Sequence, residues 1–449
     1  MTLGTVERAN RRTLLDRMGD SKEWEPDVLT GEQREEMASE VAQRVNAELG
    51  PATLQQPVEQ IADTVQEAIQ RQMEQALKRR ELSISLQEED SLALELFHRM
   101  VGLGFLEELL PPARTDLTEI IVNPDGRLWV MEKGRTHFTL LEEQSFTRAQ
   151  LMDVVDKILA PLGRRVTEAE PIASCRLPRS ARLPAGARVH VVIPPIAVGT
   201  KGAQAAEYPA LNIRLFEEEP VVPEQLVGWG ALNEEMLEFL AGVVGNRKSV
   251  VIAGGTGTGK TTMLGALLTF IPREDRVVTI EDTAELRLTA SHWVSLESRP
   301  PSVEGKYEIS MADLINASLR MTPTWVIVGE IRTGLACAQL LQTQISGHSG
   351  MSTIHADTPR KAVQTLVLRG LQSGQLPKVA AIKTLIALAV DCFVQIQYDR
   401  RGMRRVSHIS EVDEELQGGE VQLRDIFRFT EDSGEPTWER VEEPQRLAT

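Results

Sequence analysis

Cysteine is scarce in this chain. Its 449 residues include three, Cys175, Cys337 and Cys392, far apart and with no CxxC pair. Neither a zinc site nor a disulfide framework is indicated. Cys337 and Cys392 stand among apolar residues and are expected as buried free thiols, suited to a reducing compartment. Long apolar runs are missing too. None reaches the roughly 18 residues that a membrane-crossing helix needs, and the best stretch, Leu385 to Val394, is cut by Asp391. The opening MTLGTVERANRRTLLDRMGD has no apolar h-region, so no secretory signal is expected. Positive charge is in deficit: 49 Lys and Arg face 65 Asp and Glu, a net charge of −16. Aromatics make up only 4% and form no clusters with basic residues. Nucleic-acid surfaces need concentrated Lys and Arg, so stable nucleic-acid binding and a DNA-translocating role are disfavoured. The expectation is a cytoplasmic protein that meets a membrane only peripherally, through partners.

What is present is ordered chemistry. Apolar content of 42% supports a sizeable core, and the length allows two or three domains. Ser249 to Thr262 reads SVVIAGGTGTGKTT, which fits GxxxxGK[ST] from Gly254 to Thr261. A β-branched run, Val250 to Ile252, precedes it, and a helix-forming run, Met263 to Phe270, follows. Strand, glycine loop and helix in that order make a phosphate cradle. Gly254, Gly255, Thr256, Gly257, Thr258 and Gly259 are expected to turn their amides on the phosphates, with Lys260, Thr261 and Thr262 at the helix start. Lys260 can reach the β- and γ-phosphates, and Thr261 can hold Mg²⁺. ATP and Mg²⁺ are the ligands this pattern calls for.

The rest of the chain divides by composition. Residues 1–95 read as a charged helical arm, with Ile61, Val65, Ile69 and Met73 at four-residue spacing on one stripe. Residues 96–216 read as an α+β domain, with a hairpin turning at Asn123-Pro124-Asp125-Gly126. An acidic, proline-bearing linker spans 217–223. From 224 to 430, strands and helices alternate, which predicts a mostly parallel sheet covered on both faces. Residues 431–449 read as an acidic tail, with a mobile end.

Three more elements fall at strand ends, where such sheets bind ligands. Trp325-Val-Ile-Val328 runs into Gly329-Glu330, placing a carboxylate near the metal. Val277-Val-Thr-Ile280 runs into Glu281-Asp282-Thr283-Ala284-Glu285, where a carboxylate could orient water. Ser352-Thr353-Ile354 runs into His355, with His348 shortly before. Taken singly, each also suits a solvated acidic turn or a satisfied core histidine. Together they share one edge.

At these residues the chain resembles the secretion ATPases of type II and type IV systems. The CpaF-like ATPases of tight-adherence (Flp) pili are the nearest likeness, with the conjugative type IV secretion ATPases next. GGTGTGKTT, TIEDTAEL, VIVGEIR and SGHSGMSTIHAD stand in the family's order: Walker A loop, Asp box, Walker B strand and His box. TEIIVNPDG, SARLPAGARVHVVIPP and LNIRLF resemble its N-terminal domain. The resemblance implies an α/β, RecA-like P-loop NTPase domain behind a smaller α+β domain. It implies Lys260 and Thr261 at the phosphate and metal, Glu330 at the metal, and Glu281 polarising water with help from Glu285. It implies His355 at the γ-phosphate with His348 as accessory. Arg182, Arg188 and Arg214 would approach the phosphates from the N-terminal domain, and Arg320 and Arg332 would flank the Walker B strand. It further implies a homo-hexameric ring that hydrolyses ATP and drives an inner-membrane platform protein in pilus assembly or secretion. The chain departs from the family pattern at Ser180, Ala185, Ala187 and His190, at Thr333-Gly334-Leu335-Ala336, at Thr324 and at Asp357. These departures leave open a nucleotide-dependent binding or regulatory module with weak hydrolysis. The cysteine quartet of many type II secretion and type IV pilus ATPases is missing, which favours the CpaF-like branch.

Overall fold

The computed structural model describes residues 26–447 apart from 55–57, 136, 143–145, 181–182, 199–207, 218, 289, 291, 302–305, 377 and 432–436. Three helices come first: α1 (Gly31–Leu54, kinked at Gly50), α2 (Val58–Arg80) and α3 (Leu86–Val101). The stripe Ile61, Val65, Ile69 and Met73 is buried, packed with Met37, Val41, Leu92 and Leu96 in a core of its own. A four-residue repeat keeps those side chains on one face, and burying them holds three otherwise polar helices together.

Next come β1 (Leu117–Val122), β2 (Leu128–Glu132), β3 (Thr139–Leu141), α4 (Arg148–Leu159), β4 (Ile172–Leu177), β5 (Ala187–Val192) and β6 (Ala210–Leu215). The strands form one antiparallel sheet in the order β3-β2-β1-β6-β5-β4. The expected hairpin joins β1 to β2: Gly126 takes φ +78° and its N–H donates to Asn123 O at 2.9 Å. Helix α4 starts on a reciprocal cap between Thr147 and Gln150 and lays Leu151, Val154, Val155 and Ile158 into the sheet's core.

The remaining elements are α5 (Pro223–Gly228), α6 (Glu234–Gly245), β7 (Val250–Gly254), α7 (Lys260–Leu268), β8 (Val277–Glu281), β9 (Trp293–Glu297), α8 (Met311–Ser318), β10 (Trp325–Val328), α9 (Gly334–Ile345), β11 (Ser349–His355), α10 (Pro359–Gln372), α11 (Val379–Ala389), β12 (Cys392–Tyr398), β13 (Arg404–Val412), β14 (Leu423–Thr430) and β15 (Thr437–Arg440). The sheet order is β15-β14-β13-β12-β7-β11-β10-β8-β9. From β12 to β9 every neighbouring pair is parallel, and β13 to β15 extend it antiparallel. Alternate residues feed two cores. Val250, Ile252, Trp325 and Ile327 face Met263, Leu264 and Leu267 of α7. Val251, Ala253, Val326 and Val328 face Leu340 of α9, Leu366 of α10 and Ile386 of α11. Burial on both faces is why these strands read as unbroken apolar runs. This is the RecA-like α/β architecture, with the α+β sheet and the helices before it. Among the described residues, no helix is long and apolar enough to cross a membrane, and Cys337 and Cys392 are buried and free.

Residues 431–449, expected as an acidic tail, are built into the fold where the structure describes them. Thr437–Arg440 form β15, which extends the sheet beyond β14, and Leu447 is buried in its core. Glu411 is fully buried on β13. It accepts from Leu447 N–H at 2.6 Å, from Gln445 N–H at 3.0 Å and from Arg424 Nη1 at 2.6 Å. The buried carboxylate thus fastens the segment through Arg424 and two backbone amides, contacts that polarity alone does not reveal. Without Glu411 the Gln445 and Leu447 amides lose their acceptor, while Arg424 keeps Asp413 Oδ1 at 3.2 Å and Glu442 Oε2 at 3.3 Å, so Glu411→Ala is expected to lower stability by about 2–3 kcal/mol. Urea unfolding measures this, and a loss below about 1 kcal/mol would contradict the latch.

Candidate functional site

The four strand ends singled out in the sequence do share one edge. Gly254 closes β7 opposite His355 of β11, and Val328 of β10 lies between Ser352 of β11 and Ile280 of β8. Parallel pairing in register brings the residues that follow these strands to one place.

The glycine loop fills the gap between β7 and α7. Gly257 and Gly259 take φ of +73° and +92°, a region side chains resist. A Cβ on Gly254 would come within 2.6 Å of Thr258 Oγ1 and 2.7 Å of Ile396 O, so the loop's root admits only glycine. Helix α7 begins at Lys260, and no side chain caps it. The first bond closing that turn runs from Met263 N–H to Gly259 O at 2.9 Å. Among the described residues, the amides from Gly257 to Thr262 have no protein acceptor, and neither has the Thr261 hydroxyl. Unpaired amides at a helix start attract anions. The residues therefore fit a bound triphosphate.

Lys260 is nearly buried. Its Nζ donates to Gly255 O at 2.7 Å and lies 3.5 Å from His355 Nδ1. From there a chain of polar contacts crosses the edge. His355 Nε2 is 3.1 Å from Glu330 Oε1, and Arg332 Nη2 donates to Glu330 Oε2 at 2.7 Å. Arg332 Nη1 donates to Asp282 Oδ2 at 3.0 Å, and Ser298 Oγ donates to Asp282 Oδ1 at 3.3 Å. An ammonium facing Nδ1 leaves the imidazole proton on Nε2, where it meets the carboxylate. Burial, and then the Lys260 charge, hold the His355 pKa below its ordinary value, which agrees with a neutral ring. Burial likewise lowers Lys260, against the pull of Glu330. For Glu330 burial pushes upward, but the Arg332 hydrogen bond and charge outweigh it and hold the carboxyl below its usual range.

Glu281 sits differently. It is buried and turned into its own loop, where Oε1 accepts from Glu285 N–H at 3.0 Å and from Leu286 N–H at 3.1 Å. A Cβ on Gly329 would lie 3.0 Å from Glu281 Cγ, so glycine before Glu330 makes room for it. Burial pushes the Glu281 carboxyl up to about 7, against those two amide bonds. The unfolded chain ionises it near 4.5. Between those values the folded protein holds a proton that the unfolded one releases. Stability thus falls as pH rises through the window, by about 3 kcal/mol once pH exceeds 7. Glu281→Gln is expected to remove that slope and to be more stable than the parent at pH 8. Denaturant unfolding at pH 5 and pH 8 checks it, and equal slopes in both proteins would count against it.

Glu285 faces the first sheet. Its Oε1 accepts from Arg188 Nη2 at 2.8 Å, and Arg214 Nη2 lies 3.9 Å from its Oε2. Arg188 and Arg214 are cross-strand neighbours on β5 and β6. Both arginines are thus gathered beside the site but engaged with a carboxylate. Arg287 Nη2 also donates to Ala185 O, at 2.8 Å. Arg182 lies outside the described residues.

Two expected residues stand elsewhere in the subunit. His348 precedes β11, and its Nδ1 is 2.8 Å from Pro323 O. Arg320 is exposed in the turn before β10. Both are at the starting edge of the parallel strands, while the loop is at the finishing edge. Seven strand residues at about 3.3 Å each separate His348 from His355 by roughly 20 Å. Asp282 and Ser298, conversely, join the site without having been singled out. Asp282 was visible as one of three acids at a strand end, but Ser298 was not, because β9 was unrecognised.

Residues 101–444 match the family described as type II/IV secretion system protein, and the chain belongs to it. It is similar to the type IV secretion system protein PtlH of Bordetella pertussis, at 30% identity over 67% of this chain and 91% of the relative. It is also similar to the conjugal transfer protein TrbB of Rhizobium radiobacter, at 29% identity over 71% of this chain and 90% of the relative. Among solved structures, the Legionella pneumophila ATPase DotB aligns at 16% identity and a TM-score of 0.47, covering 67% of this chain and 77% of that one.

Proposed function

We propose that this chain is an ATP-hydrolysing motor of a secretion or pilus-assembly system. One observation carries the reading: the contact chain from Lys260 through His355, Glu330 and Arg332 to Asp282 lies at the strand edge that ends in an uncapped helix and a left-handed glycine loop. The amides of Gly254 to Thr262 and the Lys260 ammonium would grip the triphosphate. Thr261 and Glu330 would hold Mg²⁺, which neutralises phosphate charge; such sites need few protein ligands because the phosphates supply the others. Glu281 is suited to accept a proton from the attacking water once its loop opens and frees the carboxyl from the Glu285 and Leu286 amides. His355, joined to both Lys260 and Glu330, would register loss of the terminal phosphate. Arg188 and Arg214 would exchange Glu285 for phosphate, and bending at residues 217–223 would turn that exchange into rotation of the first sheet.

The subunits would act as a homo-hexameric ring at the cytoplasmic side of an inner membrane, against a platform protein. The purified chain is expected to release phosphate from ATP, faster when membranes carrying its partner are added, and to reach sixfold mass on native mass measurement with ATP. No phosphate release under either condition would favour the second reading, a nucleotide-dependent binding module. The inward turn of Glu281 and the Lys260–Gly255 contact lend that reading some support. The absence of the cysteine quartet supports a CpaF-like, tight-adherence branch; the likeness to PtlH and TrbB supports a type IV secretion or conjugation system equally. Genes for a platform protein and small pilins beside this one would favour the first.

A further inference from the structure

The turn between β12 and β13 touches the phosphate loop from outside. Tyr398 and Arg404 are partners across that hairpin. Both donate to one acceptor, the Gly257 carbonyl: Tyr398 Oη at 2.7 Å and Arg404 Nε at 3.0 Å. A Cβ on Gly257 would lie 3.2 Å from the same Tyr398 oxygen, so the contact is close as well as double. The hairpin is itself firmly held. The Asp399 carboxylate accepts from Arg401 N–H at 2.9 Å, Met403 N–H at 2.8 Å and Arg405 Nε at 3.0 Å, and Arg405 donates onward to Gly230 O.

Peptide planarity gives this contact a consequence. In a trans peptide the carbonyl of one residue and the N–H of the next point in opposite directions. Holding the Gly257 oxygen outward on the hairpin therefore turns the Thr258 N–H inward, toward the hollow of the loop. Gly257, at φ +73°, has no side chain to resist the ψ rotation that would turn this peptide over, and within the loop the peptide's other flank is held through the Thr258 hydroxyl, which donates to Gly255 O at 2.9 Å. Rotated, it would present a carbonyl oxygen to the phosphates.

We propose that Tyr398 and Arg404 are positioning residues of the phosphate loop, fixing the Gly257–Thr258 peptide so that its amide faces the anion. The inference rests on the nucleotide reading of the loop. It acts on phosphate and not on the base, so ATP and inorganic tripolyphosphate should feel it alike. The test titrates the parent, Lys260→Ala, Tyr398→Phe and Tyr398→Phe/Arg404→Met with each probe in the presence of Mg²⁺. Tyr398→Phe is expected to weaken both probes about fivefold, and the double variant both by about thirtyfold. KM for ATP should rise with kcat within about threefold of the parent, the signature of lost uniform binding. The melting temperature without ligand should stay within about 2 °C for Tyr398→Phe, which loses only an exposed hydroxyl. Unchanged affinities in a Tyr398→Phe protein, while the parent binds and Lys260→Ala does not, would overturn the proposal. So would a loss confined to ATP. A parent that binds neither probe would instead overturn the nucleotide reading itself.

Discussion

Lys260→Ala should abolish measurable ATP turnover, a fall of about a thousandfold or more, while leaving the fold intact. Lys260 is the ammonium at the mouth of the loop, and its stem is nearly buried beneath it. Catalysis of phosphoryl transfer is mostly positioning and charge stabilisation, and loss of one well-placed donor costs about a hundred- to a thousandfold. Here the loss is compounded, because the same ammonium orients His355. The variant should still fold: Gly255 O keeps the Thr258 hydroxyl as a donor at 2.9 Å, and α7 keeps its apolar anchors Met263, Leu264 and Leu267. Phosphate release beside a thermal melt separates the two effects. Turnover within tenfold of the parent would be incompatible with the proposed role.

Glu330→Gln should behave differently: nucleotide bound, turnover reduced by about a hundredfold or more. The amide can still meet Arg332 or His355 on one side, so the edge keeps its shape. What disappears is the negative charge that offsets Lys260 and Arg332. Glu330 normally raises the proton affinity of His355, so the variant's histidine should titrate lower still. A metal that needs this carboxylate would be held less firmly, whereas the amides of the loop would still take the phosphates. Binding of a fluorescent ATP analogue, measured alongside phosphate release, reads both. Loss of binding and turnover in equal measure would argue that Glu330 is part of the scaffold and not of the chemistry.

Much of this site could be read from the chain because its parts are local. The glycine loop needs positive φ at fixed positions and an apolar strand before it, and both are written in consecutive residues. The strand ends at Glu281, Glu330 and His355 could be gathered because parallel strands all finish at one edge. The same rule places His348 at the opposite edge: it lies before a strand whose far end is His355, so the two do not share an edge in one subunit. Arg320, before β10, lies at that same starting edge. Four-residue spacing from Ile61 to Met73 identified a buried stripe, although it could not say what would cover it.

What was not legible depends on pairing between distant segments. Strands β13 to β15 carry many charges and gave no apolar run, yet Glu411 is neutralised by Arg424 and accepts from the backbone N–H of Leu447, 36 positions away. The Tyr398–Arg404 contact with Gly257 exists only because β12 lies beside β7 and turns back as a hairpin. The orientation of Glu281 likewise follows from its burial and from two amides in the loop that succeeds it, which no spacing rule encodes.

Calorimetric titration of the purified chain with MgATP tests the central claim most directly. Saturable binding of one nucleotide per subunit below about millimolar concentration, lost in Lys260→Ala, is the expected result; KM values of enzymes fall at or below about that range. A chain that takes up no nucleotide at millimolar ATP and magnesium would contradict it.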